Sequence, residues 1–237
     1  MLGLPEVEPP ARLIQELRGF DCIISWYGSN RPEFQEAVRR LGLPFRFLPA
    51  LPARGPSRHA ADFYMQQAGS IGVRTKDAVP RLDCPRQDEG FAAIHPFSGS
   101  PKKNWPVDRF KGLTELLAPH MPVRWIQEPG SPGIAGVEME PPRKDLYELA
   151  CRLACARIYV GNDSGITHLA AAAGTRVVAL FGPTDPAVWA PRGENVRIIA
   201  TPDRALGMDS IPPEAVAAAV LQWASRPGLD SGLRATG

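Results

Sequence analysis

Gly161-Asn-Asp-Ser-Gly-Ile-Thr-His-Leu-Ala-Ala-Ala-Ala-Gly174 lies between two short apolar runs, Arg157-Ile-Tyr-Val160 and Arg176-Val-Val-Ala-Leu-Phe181. Short apolar runs bounded by turn residues predict buried strands. The stretch between them predicts a polar turn, then a helix from Gly165 to Ala173 that Gly174 stops. Four consecutive alanines let such a helix pack closely on a sheet. Strand, turn, helix and strand at this spacing imply parallel strands covered by helices, an α/β fold.

The same alternation extends outward on both sides. Towards the C terminus, Val196–Ile199 reads as a strand and Pro212–Trp223 as a terminal helix. Towards the N terminus come a helix at Asp145–Cys155 with Asp145 as its N-cap, a strand at Val123–Ile126, a helix at Pro106–Leu117 and a strand at Phe91–His95. The first ninety residues alternate less clearly. Helices are predicted at Ala11–Gly19, Pro32–Leu41 and Arg58–Ile71, and strands at Asp21–Trp26 and Pro44–Leu48. Thr75–Gly90 carries Pro80, Pro85 and many charges, and reads as a linker.

Composition excludes several classes. The chain has 237 residues, 44% hydrophobic and 22% charged, which suits a folded protein with a sizeable core. The net charge of +2 is spread evenly, +1 on each side of residue 90, so neither half is a basic nucleic-acid footprint. No run of about 18 apolar residues suggests a membrane span. Met1–Pro10 is acidic and proline-rich, unlike a secretion signal. Cys22, Cys84, Cys151 and Cys155 form no C-x-x-C pair and no disulfide framework, so a reducing cytoplasm is expected. The 26 prolines, about twice the usual share, predict rigid loops.

Two strand-end loops carry the candidate chemistry. In an open parallel sheet, ligands bind outside the carboxyl ends of the strands. Asp163, Ser164 and Gly165 stand at that edge, where a helix start offers unpaired N–H groups and the positive end of its dipole. Gly165 would let a phosphate approach the backbone. Asp163 repels phosphate unless it points elsewhere, so a cap or a hydroxyl acceptor are its two readings. Plain capping by Asp163 and Ser164 satisfies the same pattern, and read alone it is the commoner case. His168 follows Ser164 by four positions and shares its side of the first turn, but a structural histidine is the commoner reading.

The second loop is His95-Pro-Phe-Ser-Gly-Ser-Pro-Lys-Lys-Asn-Trp-Pro106. Ser98 and Ser100 bring hydroxyls, Gly99 a bare backbone, and Lys102 and Lys103 positive charge, a set that suits a diphosphate. An exposed loop with two solvated lysines is the competing reading. Phe181-Gly-Pro-Thr-Asp-Pro-Ala-Val-Trp-Ala-Pro191 follows another strand, with Thr184 or Asp185 in reach of a ligand or serving as a rigid turn. Glu128 follows the strand ending near Ile126, where a carboxylate would accept hydrogen bonds from a ribose diol. Tyr27, Ser29 and Asn30 end a strand of the first half. The chain has no G-x-G-x-x-G, no Walker A loop and no G-x-S-x-G elbow, and its four histidines lack zinc-ligand spacing.

These motifs together resemble glycosyltransferase family 9, which includes the ADP-heptose:lipopolysaccharide heptosyltransferases. The resemblance rests on Gly161–Gly174, on Val177-Val-Ala-Leu-Phe-Gly-Pro-Thr-Asp-Pro186 with Trp189, and on His95–Pro106. It covers residues 91–222 well and 10–75 more loosely. It implies a GT-B-like fold, two Rossmann-like parallel-sheet domains facing a cleft. The implied division is a partial acceptor-side domain at 1–75, a linker at 76–90, a donor-binding domain at 91–210, a C-terminal helix at 211–226 and a tail at 227–237.

The resemblance also implies an activity. A sugar, by family a heptose, would pass with inversion and without a required metal from a nucleotide diphosphate donor, by family ADP, to a glycan or lipid-linked glycan of the cell envelope. No cofactor is implied beyond that donor substrate, and no nucleic-acid partner. Ser98, Gly99, Ser100 and Lys103 would meet the phosphates, with Lys103 on the leaving group. Glu128 would meet the ribose, and Asp163, Ser164, Gly165 and His168 would line the diphosphate and sugar. A lipid-linked acceptor would bring the protein from the cytoplasm to the inner face of the membrane.

Two positions depart from the family. Phe97 stands where the family has glycine. The family also opens with a strand and a Gly-Asp turn whose aspartate is the general base, and this chain has no matching segment. The general base is therefore unassigned and the first domain is expected to be incomplete, with apolar edges that favour self-association. A protein that binds the donor without transferring the sugar is the alternative reading. A nucleotide-sugar epimerase or phosphorylase sharing the two-domain arrangement is a third.

Overall fold

The structure, a computed structural model, describes residues 9–52, 58–74, 77–127, 130 and 133–226. The tail expected at 227–237 lies outside the described residues. The chain divides into two units, Met1–Arg74 and Thr75–Gly237.

The first unit contains α1 (Ala11–Arg18), β1 (Ile23–Ser25), α2 (Pro32–Arg40), β2 (Phe45–Phe47) and α3 (Ala60–Ser70). β1 and β2 pair in parallel, Ile23 opposite Phe45 and Ser25 opposite Phe47. Pro32 opens α2 at its first turn, Glu33 sits at the positive end and Arg39 and Arg40 at the negative end. α2 packs through Phe34, which lies edge-on to Tyr27, Phe45 and Phe47 with ring centroids 5.5, 6.2 and 5.8 Å away. Gln67 of α3 is buried and bridges the unit. It accepts from Trp26 Nε1 at 2.6 Å and donates to the Pro49 carbonyl at 2.9 Å.

The second unit is built on six parallel strands: β3 (Ala92–His95), β4 (Val123–Ile126), β5 (Met139–Glu140), β6 (Ile158–Asn162), β7 (Val177–Phe181) and β8 (Val196–Ala200). They lie in the order β5-β4-β3-β6-β7-β8. Counted within the unit, that is the doubly wound order 3-2-1-4-5-6, whose direction of winding reverses between β3 and β6. The helices are α4 (Val107–Leu117), α5 (Leu146–Ala154), α6 (Gly165–Ala172), α7 (Pro186–Trp189) and α8 (Pro213–Ala224).

Alternation along the strands sorts the core into two layers. Val178 and Leu180 of β7 join Trp105, Phe110, Leu113, Val216, Val220 and Trp223 beneath α4 and α8. Val177, Ala179 and Phe181 of the same strand join Leu149, Leu153, Ile166 and Ala170 beneath α5 and α6. Both faces of the central strands β3, β6 and β7 are covered, and β7 reads as an unbroken apolar run.

Three details go beyond the sequence reading. β6 runs on through Gly161 and Asn162, which the sequence placed in a turn. Pairing on both sides, Gly161 with His95 and Asn162 with Leu180, extends it. β5 is a two-residue edge strand and α7 a single turn, both too short to leave a periodic signal. Residues 77–90 contain no helix or strand, as a linker would, yet they are tied to the second unit. Leu82 N donates to the Ala172 carbonyl, Arg86 Nη2 to that of Gly174 and Glu89 N to that of Cys155 at 2.8–2.9 Å. Cys84 is buried among Ala150, Ala154 and Ala173, and burial pushes its thiol up to about 11.

A charged cluster secures the β5 side of the sheet. Glu140 pairs with Arg152 at 2.6 Å, Arg143 at 2.9 Å and Arg124 at 3.1 Å. The Arg152 hydrogen bonds are the main reason the Glu140 carboxyl is held down at about 2. Arg124 and Arg152 also lie over the Phe91 ring, 4.6 and 4.2 Å from its centroid.

Candidate functional site

The loops that follow β3 and β6 leave the sheet on either side of the switch point, where a doubly wound sheet opens a crevice. Asn162, the last residue of β6, fastens them together. Its side chain is fully buried, accepts from Trp105 N at 2.9 Å and donates to the Pro96 carbonyl at 2.7 Å. The 96–105 loop is therefore held at both ends by one amide. A buried amide needs such partners, and here they define the loop.

Within that loop Ser98 Oγ lies 2.9 Å from the Ser100 carbonyl and 2.7 Å from Asn104 Oδ1. Its one proton serves the loop's own shape. Ser100 is half-buried and its hydroxyl makes no hydrogen bond among the described residues, while Gly99 is exposed. A short 3-10 turn, Pro101–Lys103, carries Lys103 back towards the end of β6. There Lys103 Nζ meets Asp163 Oδ2 at 2.7 Å across 60 positions of sequence. Asp163 is 7% exposed and Lys103 32%, so the pair is partly shielded from water. Thr184, from the loop after β7, donates to the same Asp163 oxygen at 2.7 Å.

The head of α6 adjoins this pair. Ser164 is its N-cap and accepts from Thr167 N at 3.3 Å. Thr167 Oγ1 donates to the Asn162 carbonyl and meets Tyr159 Oη at 3.1 Å, so the turn is braced from beneath. The Gly165 and Ile166 N–H groups have no acceptor among the described residues. A Cβ at Gly165 would meet no protein atom within 4 Å, and Gly99 is equally open. Neither glycine has the positive φ that would call for one. Packing and backbone geometry therefore give no reason for glycine at either position.

The structure thus brings Lys103, Asp163, Ser164 and Gly165 together at the switch point of the sheet, with Gly99 and Ser100 in the loop that carries Lys103. His168 is exposed on the first turn of α6. Glu128 lies outside the described residues. Asp163 is not the cap, since Ser164 does that work, and this leaves the carboxylate for Lys103 and Thr184. Asp185 caps α7 through Ala187 N at 3.0 Å and pairs with Arg204 at 2.9 Å, so of the two residues offered by that loop Thr184 faces the site. Sequence reasoning gave no role to Asn162 or Thr167. A polar residue closing an otherwise apolar strand is the signal that could have found Asn162.

The first unit has a cavity of about 500 Å³ beyond the ends of β1 and β2. Ser29, Asn30, Gln35 and Phe47 are among its lining residues. Gln35 Nε2 donates to the Gly28 and Ser29 carbonyls at 2.9 and 3.0 Å, which fixes the rim.

Known proteins resemble this chain in sequence and in fold. Residues 139–208 match the family described as Glycosyltransferase family 9 (heptosyltransferase). Lipopolysaccharide heptosyltransferase 3 of Escherichia coli K12 is 39% identical over 149 residues, 57% of this chain and 43% of that enzyme. Lipopolysaccharide heptosyltransferase 1 of Salmonella typhimurium LT2 is 38% identical over 65 residues, 27% of this chain and 20% of that enzyme. The matches therefore span less than half the length of these curated relatives. The E. coli heptosyltransferase WaaC, solved with ADP, superposes with a TM-score of 0.68 at 20% identity, covering 90% of this chain and 76% of that one. That likeness establishes the α/β, GT-B-like fold class that the sequence led us to expect. The His95–Pro106 and Gly161–Gly174 motifs meet at the switch point of such a sheet, and over residues 139–208 the chain is similar to glycosyltransferase family 9.

Proposed function

We propose that the protein is a heptosyltransferase-like enzyme. It moves a sugar, a heptose, from an ADP-linked donor to a cell-envelope glycan, with inversion and without a required metal. The Lys103–Asp163 pair at the head of α6 is the observation that carries this reading. It places a cation, unpaired backbone N–H groups and a bare glycine backbone around one space, which is what a leaving diphosphate needs. The acceptor hydroxyl attacks the anomeric carbon, the C–O bond to the diphosphate breaks, and Lys103 with the α6 head takes up the charge on the leaving oxygens. Lys103 Nζ has three protons and spends one on Asp163, so two remain for phosphate oxygens. Gly99 and Ser100 approach the same phosphates, His168 lies beside the sugar, and Glu128 is assigned to the ribose by family resemblance alone.

We place the acceptor glycan at the cavity of the first unit, whose hydroxyl, amide and aromatic lining suits a sugar. No helix of the described residues is long and apolar enough to cross a membrane. Action on a lipid-linked acceptor would bring the protein to the inner face of the membrane from the cytoplasm. A second reading, donor binding without transfer, is favoured by that cavity's lining, none of which is titratable near neutral pH. Proton removal from the acceptor needs a base in hydrogen-bond reach.

Calorimetric titration with ADP, UDP and GDP tests the donor site. Saturable binding selective for ADP is expected, and folded protein that binds none of them refutes the proposal. Transfer from ADP-heptose to a lipopolysaccharide-core acceptor separates the two readings, since donor binding without product leaves only the second.

A further inference from the structure

We propose that Thr184 is a positioning residue for the sugar of the bound nucleotide-sugar, acting through Asp163. The inference rests on the donor-site reading above and adds to it a residue from a third strand-end loop. Asp163 Oδ2 accepts from Lys103 Nζ and from Thr184 Oγ1, each at 2.7 Å. A carboxylate oxygen has two lone-pair sites, so Oδ2 is saturated within the protein. Oδ1 takes no hydrogen bond among the described residues. The carboxylate is thus gripped by one oxygen from two sides, and its other oxygen is left to accept from a ligand.

The two grips do different work. Lys103 neutralises the charge, but its flexible four-carbon stem fixes no angle. Thr184 is β-branched and stiff at χ1. It sits between Pro183 and the α7 cap Asp185, which Arg204 also holds, so its hydroxyl is delivered from a rigid turn. An anchor for the loop alone would find a backbone carbonyl. This hydroxyl instead reaches the side chain of another strand's terminal loop, 21 positions away, at the atom Lys103 uses. Held this way, Oδ1 keeps one orientation for a sugar hydroxyl beside the diphosphate. Without Thr184 the carboxylate can rotate about its last bond, and its two oxygens exchange places under Lys103.

The test compares ADP with ADP-heptose on the wild type, Thr184→Val and Thr184→Ser. Valine keeps the shape and removes only the hydroxyl, whereas serine keeps the hydroxyl. The wild type is expected to bind ADP-heptose more tightly than ADP. Thr184→Val should lose about 5- to 15-fold in affinity for ADP-heptose, the loss of one oriented hydrogen bond, with less than about a twofold change for ADP. Thr184→Ser should recover most of that loss, and the Val variant should melt within a few degrees of the wild type. An equal loss for both ligands would make Thr184 part of the phosphate site or of the general scaffold and would overturn the proposal, as would no loss for either. Folded wild type that binds ADP but gains nothing from the heptose also overturns it, while leaving the donor site standing. Folded wild type that binds neither ligand refutes the donor-site reading itself.

Discussion

β3, β6 and β7 of the second unit are buried at every position, with helices on both faces. Among the described residues of the first unit the buried apolar side chains are Val38, Leu48 and Ala60. Phe34, Phe45 and Phe47 are only half-buried, and Phe20, Tyr27 and Leu51 are 59–65% exposed. Both units follow the same strand–helix alternation, so the difference lies in how many layers close over the sheet. Burial of apolar area is the main source of stability, about 25 cal/mol per Å². The groups we propose for the phosphates stand on the unit where strand ends are fixed from several directions, as positioned chemistry requires. Stability should therefore be local to each unit, and the candidate site should depend on the second.

The largest effect is expected from Phe110→Ala. Phe110 is fully buried, with Trp105 and Trp125 edge-on at 4.8 and 6.0 Å. Its loss should cost the second unit about 3–5 kcal/mol. Phe34→Ala, at the half-buried centre of the first unit, should cost only about 1–2 kcal/mol by the same principle of transfer plus cavity. Hydrogen exchange read segment by segment would show protection falling over 92–126 for the first variant and over 23–47 for the second. Equal loss in both segments for both variants would mean that the units unfold as one, and the contrast would fail.

Asn162→Ala comes next. It strands Trp105 N and the Pro96 carbonyl in a buried setting, at about 2–4 kcal/mol. Because the loop it fastens carries Lys103, ADP affinity should fall by at least about tenfold, in proportion to the lost positioning. Thermal melting and an ADP titration read the two consequences. Weaker stability with unchanged ADP binding would separate the loop from the site.

Glu140→Gln sharpens the comparison by a charge rather than a cavity. Because the folded carboxyl sits at about 2, below its ordinary 4.5, its contribution is complete above about pH 4.5. It is lost as pH falls towards 2. The cluster is partly open to water, so screening reduces the benefit to about 1–2 kcal/mol. Urea unfolding at a series of pH values should show wild type and variant apart at pH 6 and converging near pH 2. Parallel curves throughout would remove the cluster from the account of the second unit's stability.

The second unit was the more legible half of the sequence for the same reason that it is the better packed. Strands buried on both faces leave nearly unbroken apolar runs, and Ala92–His95 and Val177–Phe181 stand where those runs lie. What stayed hidden depends on neighbours distant in sequence. Gly161 and Asn162 look like turn residues until His95 and Leu180 pair with them. Met139–Glu140 is a strand because Trp125 and Ile126 lie beside it. At the site, the residue types and their strand-end positions were readable, but the sharing of work was not. Asp163 and Ser164 look equally fit to cap α6, and only the structure shows that Ser164 takes that role and leaves Asp163 to Lys103 and Thr184.

The smallest effect on stability is expected at Gly165, and there stability and binding should move in opposite directions. Glycine costs a helix about 0.5–1 kcal/mol relative to alanine, less at the first position than in the interior. Gly165 is that first position of α6, has no positive φ, and a methyl group there would touch no protein atom. Gly165→Ala should therefore leave the melting temperature unchanged or raise it slightly. The added methyl group would nonetheless stand beside the N–H groups that α6 offers to an anion, so ADP affinity should fall about tenfold, as when a close backbone contact is blocked. The wild-type glycine would then be a residue that the folded protein does not need and the ligand does. Unchanged ADP binding in a stable Gly165→Ala protein would mean that the phosphates do not approach the head of α6. The donor would then have to be held from the Lys103 loop alone.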